Sequence, residues 1–303
     1  MTALLQLIAI PTAALGLAAV SSWRGVERVE LADVLTGART GTNYLVVGTD
    51  SRDGIDPDVD NADVIFGPDL AGERTDTIAV LRVEGDAVSL LAIPRDLYLP
   101  LAGGAPNRIN AAFAFGGPTD LVATVQRELG IGIDHYLEID LAGFLGLVDA
   151  LGGVTIDFAH PAYDDRSGLA IDTAGPHRLD GDEALAYVRS RRYTEIVDGV
   201  AVTDGTADLG RVQRQQRFLA AVMAELGATR NPLTLLDALD AVGSHVAVDE
   251  GMGVFDAARL GLTLRGADPS TATVPTSRHI TEGGADVLVL NSASEAVLAD
   301  YRG

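Results

Sequence analysis

The chain opens on its longest apolar run. Residues 3–20, ALLQLIAIPTAALGLAAV, carry no charge, and eighteen such residues sit at the lower limit for crossing a bilayer. A membrane anchor, a signal-like segment and a buried helix all fit the run; its length favours the anchor. Residues 21–42 show no strong period and read as a linker. NYLVVGTD (43–50) is then a short apolar strand that ends in Gly and Asp. TIAVLRVE (77–84) and AVSLLAIP (87–94) are β-rich and separated by Gly85-Asp86, a hairpin signal. PTDLVATVQRELG (118–130) starts at Pro118, ends at Gly130 and repeats apolar residues at helical spacing. IDHYLEID (133–140) alternates like a strand. LAGFLGLVDALGG (141–153) is a helix apolar nearly all round, which predicts burial.

Further on, Asp180 and Glu183 have the spacing of a capping box opening a short helix. Helices follow over about 208–227, from Pro232, and near 293–300, with late strands at 271–276 and 285–291. Alternating strands and helices predict one α/β domain over 43–303, three layers (α/β/α) around a central mixed sheet. Composition adds little to the fold: 47% hydrophobic and 21% charged residues suit a globular chain of 303 residues. Charge adds more. The net charge of −21 and pI near 4.4 oppose a phosphate backbone and exclude nucleic acid as a non-specific partner. The absence of cysteine excludes thiol chemistry. Arg24 and Arg28 follow the apolar run and none precedes it. Alone, that would leave the domain in the cytoplasm; a basic leader upstream of Met1 would reverse it.

Against this acidity, AYVRSRRY (186–193) packs three arginines into four positions. Polar clusters also end other elements: Asp50-Ser51-Arg52, Arg74-Thr75-Asp76-Thr77 and Pro94-Arg95-Asp96. The helix from 208 carries Asp208, Arg211, Arg214 and Gln215, the last three on one face. Singly, each cluster reads as surface ion pairs worth about 0–1 kcal/mol. Together, arginine forks beside hard aspartate oxygens suit a diphosphate with a divalent cation, the apparatus of phosphoryl transfer.

The ordered set LVVGTDSR, RTDTIAVL, SLLAIPRDLYL, NRINAAFAFGG, HRLDGDEALAYVRSRR and DLGRVQRQQ resembles the LytR-CpsA-Psr family across residues 43 to about 225. The resemblance implies a membrane-anchored, extracytoplasmic phosphotransferase. It would move a glycan polymer from a polyprenyl diphosphate carrier onto peptidoglycan, with the lipid tail in a hydrophobic pocket. It implies Asp50 and Asp76 as ligands of Mg2+ (or Mn2+). Arg74, Arg95, Arg189, Arg191 and Arg211, with Gln215 beside them, would grip the phosphates. Arg52, Arg108 and Asp96 fall within the same motifs. Arg74 and Arg95 are candidate catalytic groups, and Asp96 and Asp208 candidate proton acceptors. A diphosphate hydrolase would use the same residues with water as acceptor, and a non-enzymatic carrier-binding protein of the envelope would need only the clamp. The helix 141–151 and the segment 111–117 are candidate linings of the lipid pocket.

Two stretches depart from the family pattern. The first, 53–73, has Asp56, Asp58 and Asp60 at calcium-loop spacing but Asn61 and Gly67 where such a loop needs Gly and Glu, so it reads as a solvated acidic loop. The second is TEIVDGVAVTDGTA (194–207). Both adjoin the clamp and could shape which glycan or acceptor fits.

Overall fold

The computed structural model describes residues 21–49, 75–205, 208–229, 231–264, 267 and 269–302. Its centre is a seven-stranded mixed sheet. In chain order the strands are β1 (Glu27–Val29), β2 (Thr42–Thr49), β3 (Thr75–Glu84), β4 (Ala87–Ala92), β5 (His135–Ile139), β6 (Val246–Asp249) and β7 (Ser270–Thr273). They lie side by side as β1-β6-β5-β2-β3-β4-β7. The β2–β3 and β3–β4 pairs are antiparallel, and β5 runs parallel to β2. The predicted hairpin forms, with Gly85 at φ 61° in its turn, a conformation that favours glycine.

Seven helices complete the described fold: α1 (Asn110–Thr124), α2 (Leu141–Ala150), α3 (Gly181–Arg189), α4 (Asp208–Ala228), α5 (Pro232–Val242), α6 (Val254–Leu264) and α7 (Ser294–Arg302). Strand alternation sends successive side chains to opposite faces. Leu45, Val47, Ile78 and Val80 join a core with Leu121 and Val122 of α1 and Leu298 and Tyr301 of α7. Tyr44, Ala79 and Leu81 join another with Met223 of α4 and Leu264 of α6. Two helical layers on a mixed sheet are the three-layer α/β arrangement that the pattern predicts. A third core joins α2, α3 and α4 to the hairpin of Val154–Phe158 and Gly175–Leu179. Helix α4 therefore serves two cores, with Met223 in one and Phe218 and Val222 in the other.

Several expectations change. Residues 21–42 are not a free linker: β1 edges the main sheet, and Val26 and Leu31 are buried. The strand expected over 271–276 breaks at Val274-Pro275 into β7 and Thr276–Ile280. The insertion 194–207 contains a hairpin, Thr194–Val197 with Val200–Thr203, turning through Asp198-Gly199 at positive φ. Helix α2 is more open than predicted, with only Gly143 and Val148 fully buried; Asp140 caps it by accepting from the Gly143 N–H at 2.7 Å. The apolar run 3–20 and the stretch 53–73 lie outside the described residues. Among the described residues no helix is long and apolar enough to cross a membrane.

At the β1 side of the sheet, His135 Nδ1 lies 3.1 Å from the buried Asp249 carboxylate and stacks on Tyr44. The Asp249 hydrogen bond raises the His135 pKa against burial, which lowers it. Burial pushes Asp249 up, but His135 and the Tyr136 and Met252 N–H groups bring it below the usual carboxylate range. The sign follows: the histidine's contribution is complete below its unfolded pKa of about 6.5 and is lost as pH rises through its raised folded pKa. Thermal unfolding midpoints should therefore decline across that window, and His135→Asn should flatten the decline. A decline of unchanged slope in the variant would remove the pair from the account.

Candidate functional site: a crevice beside Arg95

One end of the sheet brings together Thr49, Thr75 and the Arg95-Asp96 pair. β2 finishes at Thr49, β3 begins at Thr75, and the two are register partners. β4 runs into Ile93-Pro94-Arg95-Asp96 at the same end. Asp50, Arg52 and Arg74 fall outside the described residues. Asp76 is in β3 and Asp208 opens α4. The hydroxyls of Thr49 and Thr75 are buried without a hydrogen-bond partner among the described residues. The two orphaned hydroxyls are hard oxygen donors that neighbour Asp50 and Asp76 in sequence. Such donors suit Mg2+, which one or two carboxylates and a phosphate substrate suffice to hold.

Between this end of the sheet and α4 runs a narrow crevice. Its walls are Thr77 and Ala79 of β3, Leu90 of β4, and Val212, Gln215 and Leu219 of α4, with Arg95 at its polar end. The open volume is about 20 Å3, room for one water. The crevice is lined by neither α2 nor the segment 111–117. Gly143 and Gly146 of α2 instead permit close packing on His245 and Ala241, which a Cβ would meet at 2.7 and 3.2 Å.

Arg95 is mostly buried and lies 3.7 Å from Asp96, whose other oxygen is 3.2 Å from Arg108 Nε. Arg108 also donates to the Asp286 carbonyl at 2.9 Å. Asp96 is thus held between two guanidinium groups, and Arg108 is tied outward.

The arginine cluster reaches α4 from the other side. The Asp180–Glu183 capping box forms as predicted and starts α3, which ends at Arg189. Arg214, buried on α4, donates to the Ser190 carbonyl at 2.7 Å, pairs with Asp204 at 3.1 Å and stacks its guanidinium 4.8 Å from the Tyr193 ring. That bond docks Arg189-Ser190-Arg191 on α4 one residue before Gln215. Arg211 lies one turn earlier on the same helix, also buried. The chain therefore links Arg95 to Gln215 across the crevice, and Gln215 through Arg214 to the Arg189–Arg191 turn. Arg214, which shares the Arg211 and Gln215 face in sequence, is spent on holding this turn.

The residue that sequence reasoning missed is Asp164. It is 1% exposed and accepts from the Ser190 hydroxyl at 2.7 Å and from the N–H groups of Arg191 at 3.0 Å, Arg192 at 2.7 Å and Arg166 at 2.9 Å. Burial pushes its pKa up, yet these four donors hold it below the usual carboxylate range. Asp164 fixes the backbone from which Arg191 projects, and nothing in YDDRSG marks it out.

Comparison with known proteins gives the same family as the motifs. The model of the LytR_cpsA_psr family matches residues 20–299. A Corynebacterium glutamicum protein, the probable cell wall biosynthesis protein LcpB, is 36% identical over 91% of this chain and 65% of its own length. The polyisoprenyl-teichoic acid–peptidoglycan teichoic acid transferase TagU of Halalkalibacterium halodurans is 36% identical over 68% of this chain and 60% of its own length. The chain thus spans less than two thirds of both relatives. Among solved structures, the LytR-Csp2A-Psr enzyme from Actinomyces oris superposes with a TM-score of 0.71 at 28% identity, covering 91% of this chain and 95% of that one. The ordered motifs and a family match that spans nearly the whole chain lead to one conclusion: this protein belongs to the LytR-CpsA-Psr family.

Proposed function

We propose that this protein is a phosphotransferase that moves a glycan 1-phosphate from a polyprenyl diphosphate carrier to a peptidoglycan hydroxyl, at the outer face of a cell membrane. One observation carries the reading: Arg95 and Gln215 face one crevice whose remaining walls are largely apolar. A ligand with a phosphorylated head and an apolar tail matches that polarity. The name of the TagU relative supports the donor and acceptor classes.

Arg95, Arg189, Arg191 and Arg211 would take the diphosphate oxygens by forked hydrogen bonds, with Gln215 completing the grip and Arg52, Arg74 and Arg108 adding charge. Asp50 and Asp76 would hold Mg2+, or Mn2+ in its place, which would supply charge neutralisation to the diphosphate when bound. A sugar hydroxyl attacks the phosphorus that bears the glycan. The new O–P bond forms, the bond to the bridging oxygen breaks, and polyprenyl monophosphate departs. The hydroxyl proton passes to a carboxylate. Asp96, already paired with Arg95 and Arg108, and Asp208 are the two candidates for it.

Lipid-linked glycan supplied with and without peptidoglycan separates this reaction from hydrolysis. The transferase reading expects glycan phosphate on peptidoglycan and little release without it. Equal release of glycan phosphate into water in both arms would assign the hydrolase, and tight binding without turnover would leave a carrier-binding protein.

A one-water crevice must widen for an isoprenoid tail, so α4 has to yield from the sheet. Leu219→Trp, which fills the apolar end, should lower kcat/KM for long-chain donors by about tenfold or more and spare short-chain ones. Equal losses for both chain lengths would move the tail elsewhere.

A further inference from the structure

Helix α6 is apolar on two sides. Its inner side packs Ala257, Leu260 and Leu264 into the sheet core. Its outer side exposes Phe255 by 83% and Leu262 by 65%. These two are two turns apart, and exposed Ala258 lies between them on the same face. An ordinary surface helix has a polar outer side; this one exposes Phe255 and Leu262 there, with Arg259 beside them.

The neighbouring contacts point to what covers it. Trp23, three residues after the apolar run 3–20, packs against the same core as Ala257 and Leu260. The Arg28 guanidinium lies 5.0 Å from the Trp23 ring and donates to the carbonyl of Met252, just ahead of α6. From Trp23 back to Ser21 the chain can reach only about 7 Å, so the described residues begin beside α6. Leu219, at the apolar end of the crevice, belongs to that core too.

We propose that the outer face of α6 lies in the surface of the lipid bilayer, as a second contact beside the entry of the apolar run. The proposal rests on reading residues 3–20 as a membrane anchor. It sets the domain with the apolar end of the crevice toward the membrane. The charges on the helix itself are mixed, Arg259 against Asp256. Binding is therefore by apolar insertion and not by attraction to anionic lipid.

The chain has no cysteine, so Ala258→Cys in the full chain takes a single environment-sensitive fluorophore, with Ala201→Cys on the exposed hairpin as reference. In phosphatidylcholine vesicles, lipid brominated near the headgroup should quench the label at 258 about twofold more than that at 201. The difference should survive tenfold protein dilution and high salt. Flotation of the same samples reads the anchor independently. A chain that floats with both labels equally quenched overturns the α6 face alone. A chain that fails to float overturns the anchor and the face with it. Quenching that vanishes on dilution assigns the face to a second copy of the chain and likewise overturns the proposal.

Discussion

Replacing Arg95 by alanine should lower the rate of glycan transfer by about 10²–10³-fold, the loss typical of one preorganised donor to developing charge. Arg95 is the guanidinium at the polar end of the crevice, and its position is set by Asp96 and by the end of β4. A charge held in so restricted a site acts with little screening, unlike one at an open surface. Removing it leaves the Asp96–Arg108 pair in place, so the fold should survive; an unchanged unfolding midpoint is the control. Lysine restores charge but not the planar fork, and Arg95→Lys should recover only part of the rate. Arg189→Ala should show a comparable loss. Wild-type rates in Arg95→Ala and Arg189→Ala together would remove the clamp from the mechanism.

Replacing Asp164 by alanine should destabilise the protein by about 3 kcal/mol, because four donors gathered on one buried carboxylate lose their acceptor and each buried unmet donor costs about 1–3 kcal/mol. The unfolding midpoint should fall by several degrees. The functional signature is separate. Arg191 and Arg192 give their own N–H groups to Asp164, so the turn carrying Arg191 loses its fixed geometry while every arginine is still present. Transfer should weaken at temperatures where the variant remains folded. Asp164→Asn, which keeps an acceptor oxygen, should recover part of both losses. The folded pKa is depressed, so the stabilisation is present above the unfolded value of about 3.9 and is lost as pH falls through the folded one. The variant should therefore show a weaker acid dependence of stability in that range. A variant as stable and as active as the wild type would show that the turn needs no such support.

How far the sequence could be read depended on the range of the interactions involved. The Asp180–Glu183 capping box and the Gly85-Asp86 turn are local devices, and both appear where their spacing puts them. The Asp198-Gly199 turn is equally local, and its flanking strands TEIV and VAVT carry the β-rich pattern of a hairpin. Residues 21–42 gave no period because β1 is three residues long and is held in place by β6, more than two hundred positions away. Asp164 was hidden for the same reason: its donors at 190–192 are brought to it by the fold. The crevice beside Arg95 is lined by α4, whose Val212 and Leu219 look like ordinary core positions in the sequence. Arg214 shows the limit of composition: its charge matched the clamp, yet its bonds to Ser190 and Asp204 make it a strut.

The central claim is that guanidinium groups from the segment after β4, the end of α3 with the turn after it, and α4 meet on one diphosphate. A crystal structure of the chain with geranylgeranyl diphosphate and Mg2+ reads that most directly. The account predicts both phosphates within hydrogen-bond reach of Arg95 and Arg189, with the prenyl tail running past Val212 toward Leu219. Phosphates bound away from Arg95 and Arg189, or a tail seated against α2 with the α4 crevice closed, would contradict it.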